Sequence, residues 1–123
     1  MPNLKQLIII FLTGFALSGC MNGEWPTGQL AVKNGDATAI ITDIYITFDC
    51  SDRWGNVDYT SLSIAPGASS EVYDLETHVY DVLACFDTGT CGQALDVEVY
   101  DVGVTEVTIV DSGTIIKAPA NCL

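Results

Sequence analysis

The chain has 123 residues, of which 16 are acidic and four are basic, so its formal net charge is −12 at pH 7. Nucleic-acid phosphates and anionic lipid headgroups repel such a chain, which disfavours nucleic-acid binding and electrostatic docking to a membrane. Its field attracts cationic proteins and divalent cations, although solubility alone also accounts for an acidic surface.

The first 19 residues have the layout of a secretory signal peptide. One basic residue, Lys5, precedes an apolar run over residues 7–17, and small residues follow it. The run is too short for a membrane span, which needs about 20 apolar residues. We therefore expect cleavage rather than a transmembrane anchor.

The small residues lead directly into a cysteine, in the order Leu17-Ser18-Gly19-Cys20. This resembles the lipobox of bacterial lipoproteins, which directs diacylglycerol transfer to the thiol and cleavage just before it. The resemblance implies that Cys20 is the first mature residue and that fatty acyl chains such as palmitate hold the protein in the membrane. Met21 follows instead of an aspartate, which resembles the rule for sorting to the outer membrane.

Cleavage before Cys20 leaves about 100 residues, the size of one small domain. We expect a signal peptide over residues 1–19, a tether over 20–28 that contains Asn22, Gly23 and Pro26, and one domain over 29–123. Because Lys5 is the only charged residue of the signal peptide, the mature chain is even more acidic.

Four cysteines remain once Cys20 carries lipid: Cys50, Cys85, Cys91 and Cys122. An even set in an oxidising compartment indicates two disulfides, and sequence alone leaves three pairings open. We favour Cys85 with Cys91 across a short loop that contains Gly89, which leaves Cys50 with Cys122. A structural zinc site is the competing interpretation, but the spacings are scattered and the chain has one histidine.

Short segments of alternating polarity follow one another along the domain. They predict strands over residues 29–33, 39–50, 61–64, 69–75, 80–86, 95–99 and 104–110, with a polar loop over 51–59 and a short edge strand at 115–116. In the second strand Ile40, Ile44, Ile46 and Phe48 share one parity, so we expect Ile44, Ile46 and Phe48 in the core.

Turn residues separate these segments. Asn34-Gly35-Asp36 is a turn signal because Asn and Gly tolerate positive φ, and Ala65-Pro66-Gly67 predicts a type II turn. Seven short strands between turns predict an all-β antiparallel sandwich with immunoglobulin-like or transthyretin-like packing.

A second resemblance rests on Asn34, residues 44–46, Trp54-Gly55, residues 62–67 and Tyr80-Asp81-Val82. Together they are similar to a small β-sandwich module that recurs in secreted bacterial proteins. The similarity implies a fold and no catalytic residues.

No catalytic motif stands out in the sequence. A triad needs a nucleophile, a base and an orienting group in one pocket, and the single histidine, His78, is typical of a solvated surface residue beside Glu76 and Asp81. With 16 acids, pairs of carboxylates occur by chance, so a carboxylate-dependent hydrolase stays an alternative.

The loop from Asp49 to Asp58 contains several oxygen donors, a chemistry that suits calcium. Its spacing does not match the regular calcium loop, so we expect no cofactor and keep calcium as an alternative. Arg53 and Trp54 in this loop are the best candidates for a binding contact, since Trp and Arg dominate interaction hot spots. The alternative is that Trp54 folds back over the end of the core.

These features predict a lipid-anchored protein of the bacterial cell envelope, at the outer membrane, facing the periplasm or the cell surface. Its expected role is non-enzymatic, in binding or envelope structure, with the membrane and an envelope protein as partners. An alternative is an inhibitor or decoy for a cationic protein such as a lysozyme or bacteriocin.

Overall fold

The computed structural model describes residues 26–49, 54, 55 and 57–117. Several predicted features lie outside the described residues, namely the signal peptide, the lipidated Cys20, the first part of the tether, Arg53, and the pair Cys50 and Cys122.

The described residues form seven strands and no helix, which confirms the prediction of an all-β sandwich. The strands are β1 (Thr27–Asn34), β2 (Ile41–Phe48), β3 (Val57–Tyr59), β4 (Tyr73–Glu76), β5 (His78–Phe86), β6 (Cys91–Val99) and β7 (Val104–Ile109). Sheet A has the order β4-β1-β7, and sheet B has the order β3-β2-β5-β6. Residues 27 and 28, expected in the tether, belong to β1.

The strand order bears on the two predicted packings. β1 pairs antiparallel with β4 and parallel with β7, whereas β2 lies in the other sheet, between β3 and β5. In the immunoglobulin order the first two strands share a sheet. The observed order therefore differs from the immunoglobulin order, and the transthyretin-like packing stays a prediction.

Pairing also defines two ends of the sandwich. The amino-terminal end contains the start of β1, the end of β2, the β4–β5 connection at Thr77 and the β6–β7 connection over residues 100–103. The opposite end contains the end of β1, the β5–β6 hairpin and the residues that follow β7.

Alternation of apolar residues builds the core between the sheets. Ile44 and Ile46 of β2 and Val82 and Ala84 of β5 are fully buried, as predicted for these strands. They belong to one cluster with residues of sheet A such as Leu30. Burying an aliphatic side chain contributes roughly 1.5–3 kcal/mol, so this cluster is the main source of stability.

The core prediction fails at the end of β2. Phe48 is 42% exposed, because β2 ends at this residue on the rim of the sandwich. At the start of the strand a β-bulge between Ile41 and Asp43 shifts the register against β5. Ile41 is therefore buried in the core, although its parity is opposite to that of Ile44 and Ile46.

The predicted third strand and tail strand are absent from the described residues. Residues 61–64 form one bridge, between Ile64 and Ile41, because Ser61 has a φ of 58° and interrupts the extended backbone. The third strand is instead β3, within the expected polar loop. In place of the predicted tail strand, Thr114 forms a single bridge to Cys91, and Ile115 beyond it is 70% exposed.

Two local predictions about the chain are confirmed. Cys85 and Cys91 lie opposite each other in the β5–β6 register and form a disulfide. Gly67 has a φ of 82°, and the amide of Ala68 donates to the Ala65 carbonyl at 2.9 Å, which closes the predicted turn.

Asn34 ties together the opposite end of the sandwich. Its side chain is fully buried, and its Nδ2 donates to the carbonyls of Ala39 at 2.8 Å and Ile64 at 2.9 Å. Its Oδ1 accepts from the Asp36 amide at 2.8 Å, and its carbonyl accepts from the Gly67 amide at 2.8 Å. Neither Asn34 nor Gly35 has a positive φ, so this segment is specified by hydrogen bonds rather than by the predicted backbone tolerance.

Two aspartates extend this hydrogen-bonded end. Asp36 accepts from the amides of Ala39, Thr38 and Asp111, and these bonds hold its pKa below 3.8. Partial burial acts to raise the pKa of Asp111, but bonds from the Gly113 amide and two threonine hydroxyls outweigh it and lower this pKa as well.

Replacing Asn34 tests the role of its amide. Asn34→Ala removes three side-chain hydrogen bonds, and the Ile64 carbonyl then keeps only the bond from the Ile41 amide, so we expect a loss of about 3 kcal/mol of unfolding free energy in urea titrations. The matched control is Gln29→Ala, whose exposed amide on the same strand donates to Asp74. This control should stay within about 0.5 kcal/mol of wild type.

The aspartates predict the acid stability of the domain. Because the folded pKa values of Asp36 and Asp111 lie below the ordinary value of 3.8, their stabilisation is complete above that value and is lost as pH falls through the folded values. We expect Asp36→Asn to flatten the fall of unfolding free energy between about pH 5 and pH 2. The control is Glu71→Gln, which should keep the wild-type pH dependence. If the unfolding free energy of Asp36→Asn falls with pH as steeply as that of wild type, Asp36 does not have this role.

Candidate binding site at the amino-terminal end

Of the two residues predicted as binding contacts, only Trp54 lies among the described residues. Its side chain is partly buried, and its indole Nε1 is buried without a hydrogen-bond partner in the part of the chain that the structure describes. The ring is thus turned towards the protein, in line with the alternative that it folds back.

A group of three carboxylates lies on sheet B, close to the amino-terminal end. Asp49 follows β2, Asp81 lies in β5 and Asp96 lies in β6, and one carboxylate oxygen of each lies within 4.8 Å of the others. Asp81 is fully buried, whereas Asp49 and Asp96 are exposed.

A β-bulge explains why an acid is buried at position 81. Tyr80 pairs with Val97 and Val82 pairs with Ala94, so two residues of β6 face Asp81 alone. One of them, Asp96, has a φ of 57°, a left-handed conformation that Asp tolerates better than most residues. Its amide donates to Asp81 Oδ1 at 3.0 Å, so the buried carboxylate supports the bulge.

The predicted calcium donors are only partly brought together. Asp49 joins the triad, but Asp58 lies in β3 and is exposed. Asp81 and Asp96 were not among the predicted donors, although an acid inside the apolar strand at Tyr80-Asp81-Val82 is a signal for a structural or binding role. With one oxygen from each carboxylate, the group supplies three of the six to eight oxygens that calcium prefers.

His78 lies in an aromatic group at the first residue of β5. Its ring meets Phe48 edge-on at 4.9 Å between centroids, and it meets Tyr80 edge-on at 5.7 Å. Phe48 also stacks on Tyr80 at 5.7 Å, and the Tyr80 hydroxyl donates to the Glu76 carbonyl at 2.6 Å. The imidazole is exposed.

Two open cavities meet at Thr77 and His78, and we call the surface that they form the His78 cleft. One cavity of about 320 Å³ is also lined by Glu98, Tyr100 and Asp101, and the other, of about 360 Å³, by Phe48 and Glu76. The cleft therefore combines aromatic rings with three exposed carboxylates.

The start of the domain holds this cleft in place. The Thr77 amide donates to the Pro26 carbonyl at 2.9 Å. Gly28 packs against the Tyr100 carbonyl so closely that a Cβ atom at position 28 would overlap with it. The Tyr100 hydroxyl donates to Glu98 Oε1 at 3.1 Å, and this bond raises the pKa of Tyr100.

A second groove lies on the open side between β3 and β4. Tyr59 and Tyr73 stack across the two sheets at 3.8 Å between centroids, beside a groove of about 330 Å³. Tyr73 is buried and Tyr59 is partly buried, so the two stacked rings form no exposed aromatic patch. The stack closes the side of the sandwich.

Exposed apolar side chains occur at both ends of the sandwich, with Val110 and Ile115 at the opposite end and a second set at the amino-terminal end. Besides Phe48, Tyr100 is 55% exposed, Val102 77% and Val104 51%.

Among the described residues, none belongs to a helix long and apolar enough to cross a membrane.

Asp81 allows a test of the bulge. Asp81→Ala removes the acceptor for the Asp96 amide, so we expect about 2 kcal/mol lower unfolding free energy in urea titrations. Asp58→Ala removes an exposed acid from the same sheet and should change stability by less than about 0.5 kcal/mol. Equal effects of the two variants would show that the buried carboxylate does not support the bulge.

Comparison with known proteins adds no relative. No protein-family model matches the chain, and no match was found among curated proteins or among solved structures. The proposals below therefore rest on the residues of this chain.

Proposed function

We propose that this protein is a lipid-anchored component of the bacterial cell envelope whose sandwich domain has a non-enzymatic binding role. The observation that carries the proposal is the sequence Leu17-Ser18-Gly19-Cys20 at the end of a signal-peptide pattern. Two or more acyl chains on Cys20 anchor a protein stably, since one chain alone binds only marginally.

The Cys85–Cys91 disulfide supports an extracytoplasmic location. Structural disulfides persist in oxidising compartments and are rare in the reducing cytosol. The predicted location at the outer membrane, facing the periplasm or the surface, fits this chemistry. The Cys50–Cys122 bridge stays a prediction.

The surroundings of His78 support a binding role rather than catalysis. Within the described residues its recorded contacts are the rings of Phe48 and Tyr80, with no nucleophile or orienting carboxylate in hydrogen-bond contact. Nucleophilic catalysis of the triad type needs a nucleophile and an orienting group within hydrogen-bond reach of the base.

The acidic triad gives little support to a carboxylate-dependent hydrolase. Such an enzyme needs two accessible carboxylates in one pocket, whereas Asp81 is fully buried and no acid of this group lines any of the three cavities described above. A role as inhibitor or decoy for a cationic protein is favoured more, because three exposed acids line the His78 cleft.

Lipid attachment is tested at Cys20. We expect wild-type protein expressed in a bacterial host to incorporate labelled palmitate, to fractionate with membranes and to yield an acylated amino-terminal peptide in mass spectrometry. Cys20→Ser should abolish all three, because it removes the acceptor thiol. Cys50→Ser is the matched control and should retain them. Palmitate-free wild-type protein with an intact signal segment would refute the proposal.

A further inference from the structure

We infer that the His78 cleft binds lysine or arginine side chains of a cationic partner protein. The inference rests on the binding role proposed above and names the chemistry of the partner. It does not depend on the lipid at Cys20, so the two can fail separately.

The cleft has room for such side chains. Each of its two cavities, of about 320 and 360 Å³, is at the small end of the range for ligand pockets. They share Thr77 and His78, so two neighbouring basic side chains of one partner can enter side by side.

Charge complementarity selects a cation as the occupant. Glu76, Glu98 and Asp101 are exposed around the cleft, and no lysine or arginine lines either cavity among the described residues. The carboxylates of Glu76 and Asp101 have no recorded hydrogen bond in this part of the chain, unlike those of Asp36 and Asp111 at the opposite end.

The described lysines do not neutralise this surface. Lys33 pairs with Thr108 near the opposite end of the sheet, and Lys117 follows the bridge between Thr114 and Cys91 at that end. Within the described structure, no lysine near the cleft therefore offsets its negative potential. This potential favours attraction of a basic partner.

Tyr100 supplies the second recognition element. Its ring is 55% exposed at the cavity wall, and its hydroxyl is held by Glu98 Oε1 at 3.1 Å. A cation over a tyrosine face gains about 0.5–1 kcal/mol at exposed sites. A guanidinium or ammonium group that contacts both the ring and the adjacent carboxylate gains from each.

A lipid surface is the other occupant within reach. Five residues lie between Cys20 and Pro26, so a lipidated chain keeps this end within about 20 Å of the bilayer. Three carboxylates at the cleft oppose contact with hydrocarbon and with anionic headgroups. The charges thus favour a protein over the bilayer.

The test uses the full lipidated protein in a non-ionic detergent, with an acetylated and amidated octalysine peptide as the probe. Calorimetry at low salt should show binding that weakens steeply with added salt, whereas octaglutamine should not bind. The double variant Glu98→Gln/Asp101→Asn should weaken octalysine binding at least tenfold. No octalysine binding by wild type at low salt overturns the inference.

A matched variant separates a site from diffuse attraction. Glu71→Gln/Glu106→Gln also removes two negative charges, but from exposed positions outside the cleft. It should keep the affinity for octalysine within threefold of wild type. Equal weakening by both double variants would overturn the site. Tyr100→Ala should weaken binding, and Tyr100→Phe should restore most of it because the ring face remains. Urea midpoints verify that each variant is folded.

Reconstitution into phosphatidylcholine vesicles distinguishes the bilayer. Octalysine binding that survives in vesicles supports a protein partner, and binding that is lost there shows that the cleft rests on the membrane and overturns the inference. Failure of lipid labelling at Cys20 would leave the peptide result intact, since the unlipidated chain allows the same titration. Failure of peptide binding with intact lipidation would refute the cleft alone.

Discussion

The buried amide of Asn34 is the constraint on which this sandwich depends. It donates to carbonyls from two separate segments, at Ala39 and Ile64, while its own backbone pairs with the turn at Gly67. Because a buried carbonyl without a donor is costly, these segments have one low-energy arrangement. These hydrogen bonds therefore join the end of β1 to the segment before β2 and to the turn before β4.

The two ends of the domain use their acids differently. At the end organised by Asn34, Asp36 and Asp111 accept hydrogen bonds from backbone amides and threonine hydroxyls, so these acids stabilise loops. At the amino-terminal end, acids surround the exposed rings of Tyr100 and His78. One end is closed by its own hydrogen bonds, and the other has an exposed charged and aromatic surface, where we propose that a partner binds.

Much of the fold was predictable from alternation, since Ile44, Ile46, Val82 and Ala84 are buried as their strands require. The exceptions arise from pairing and from the ends of strands: Phe48 is exposed because β2 ends on the rim, and an inserted residue near Ile41 reverses the parity of the same strand. The bulge near Ile41 depends on pairing with β5, and no periodicity within β2 reveals it.

The site was less predictable than the fold. Residues 48, 78 and 100 are far apart in the chain, and strand pairing brings them to one end.

The sequence by itself determined the strand-forming segments, the short Cys85–Cys91 bridge, the turn at Gly67 and the strong negative charge, because each follows from local residue chemistry. It also carries the lipobox resemblance from which the envelope location is proposed. Tertiary structure alone decided that Phe48 lies on the rim, that Asp81 is buried beneath a bulge and that the His78 cleft exists. These features arise from pairing between distant strands, and that pairing depends on the whole packed sandwich rather than on any one segment.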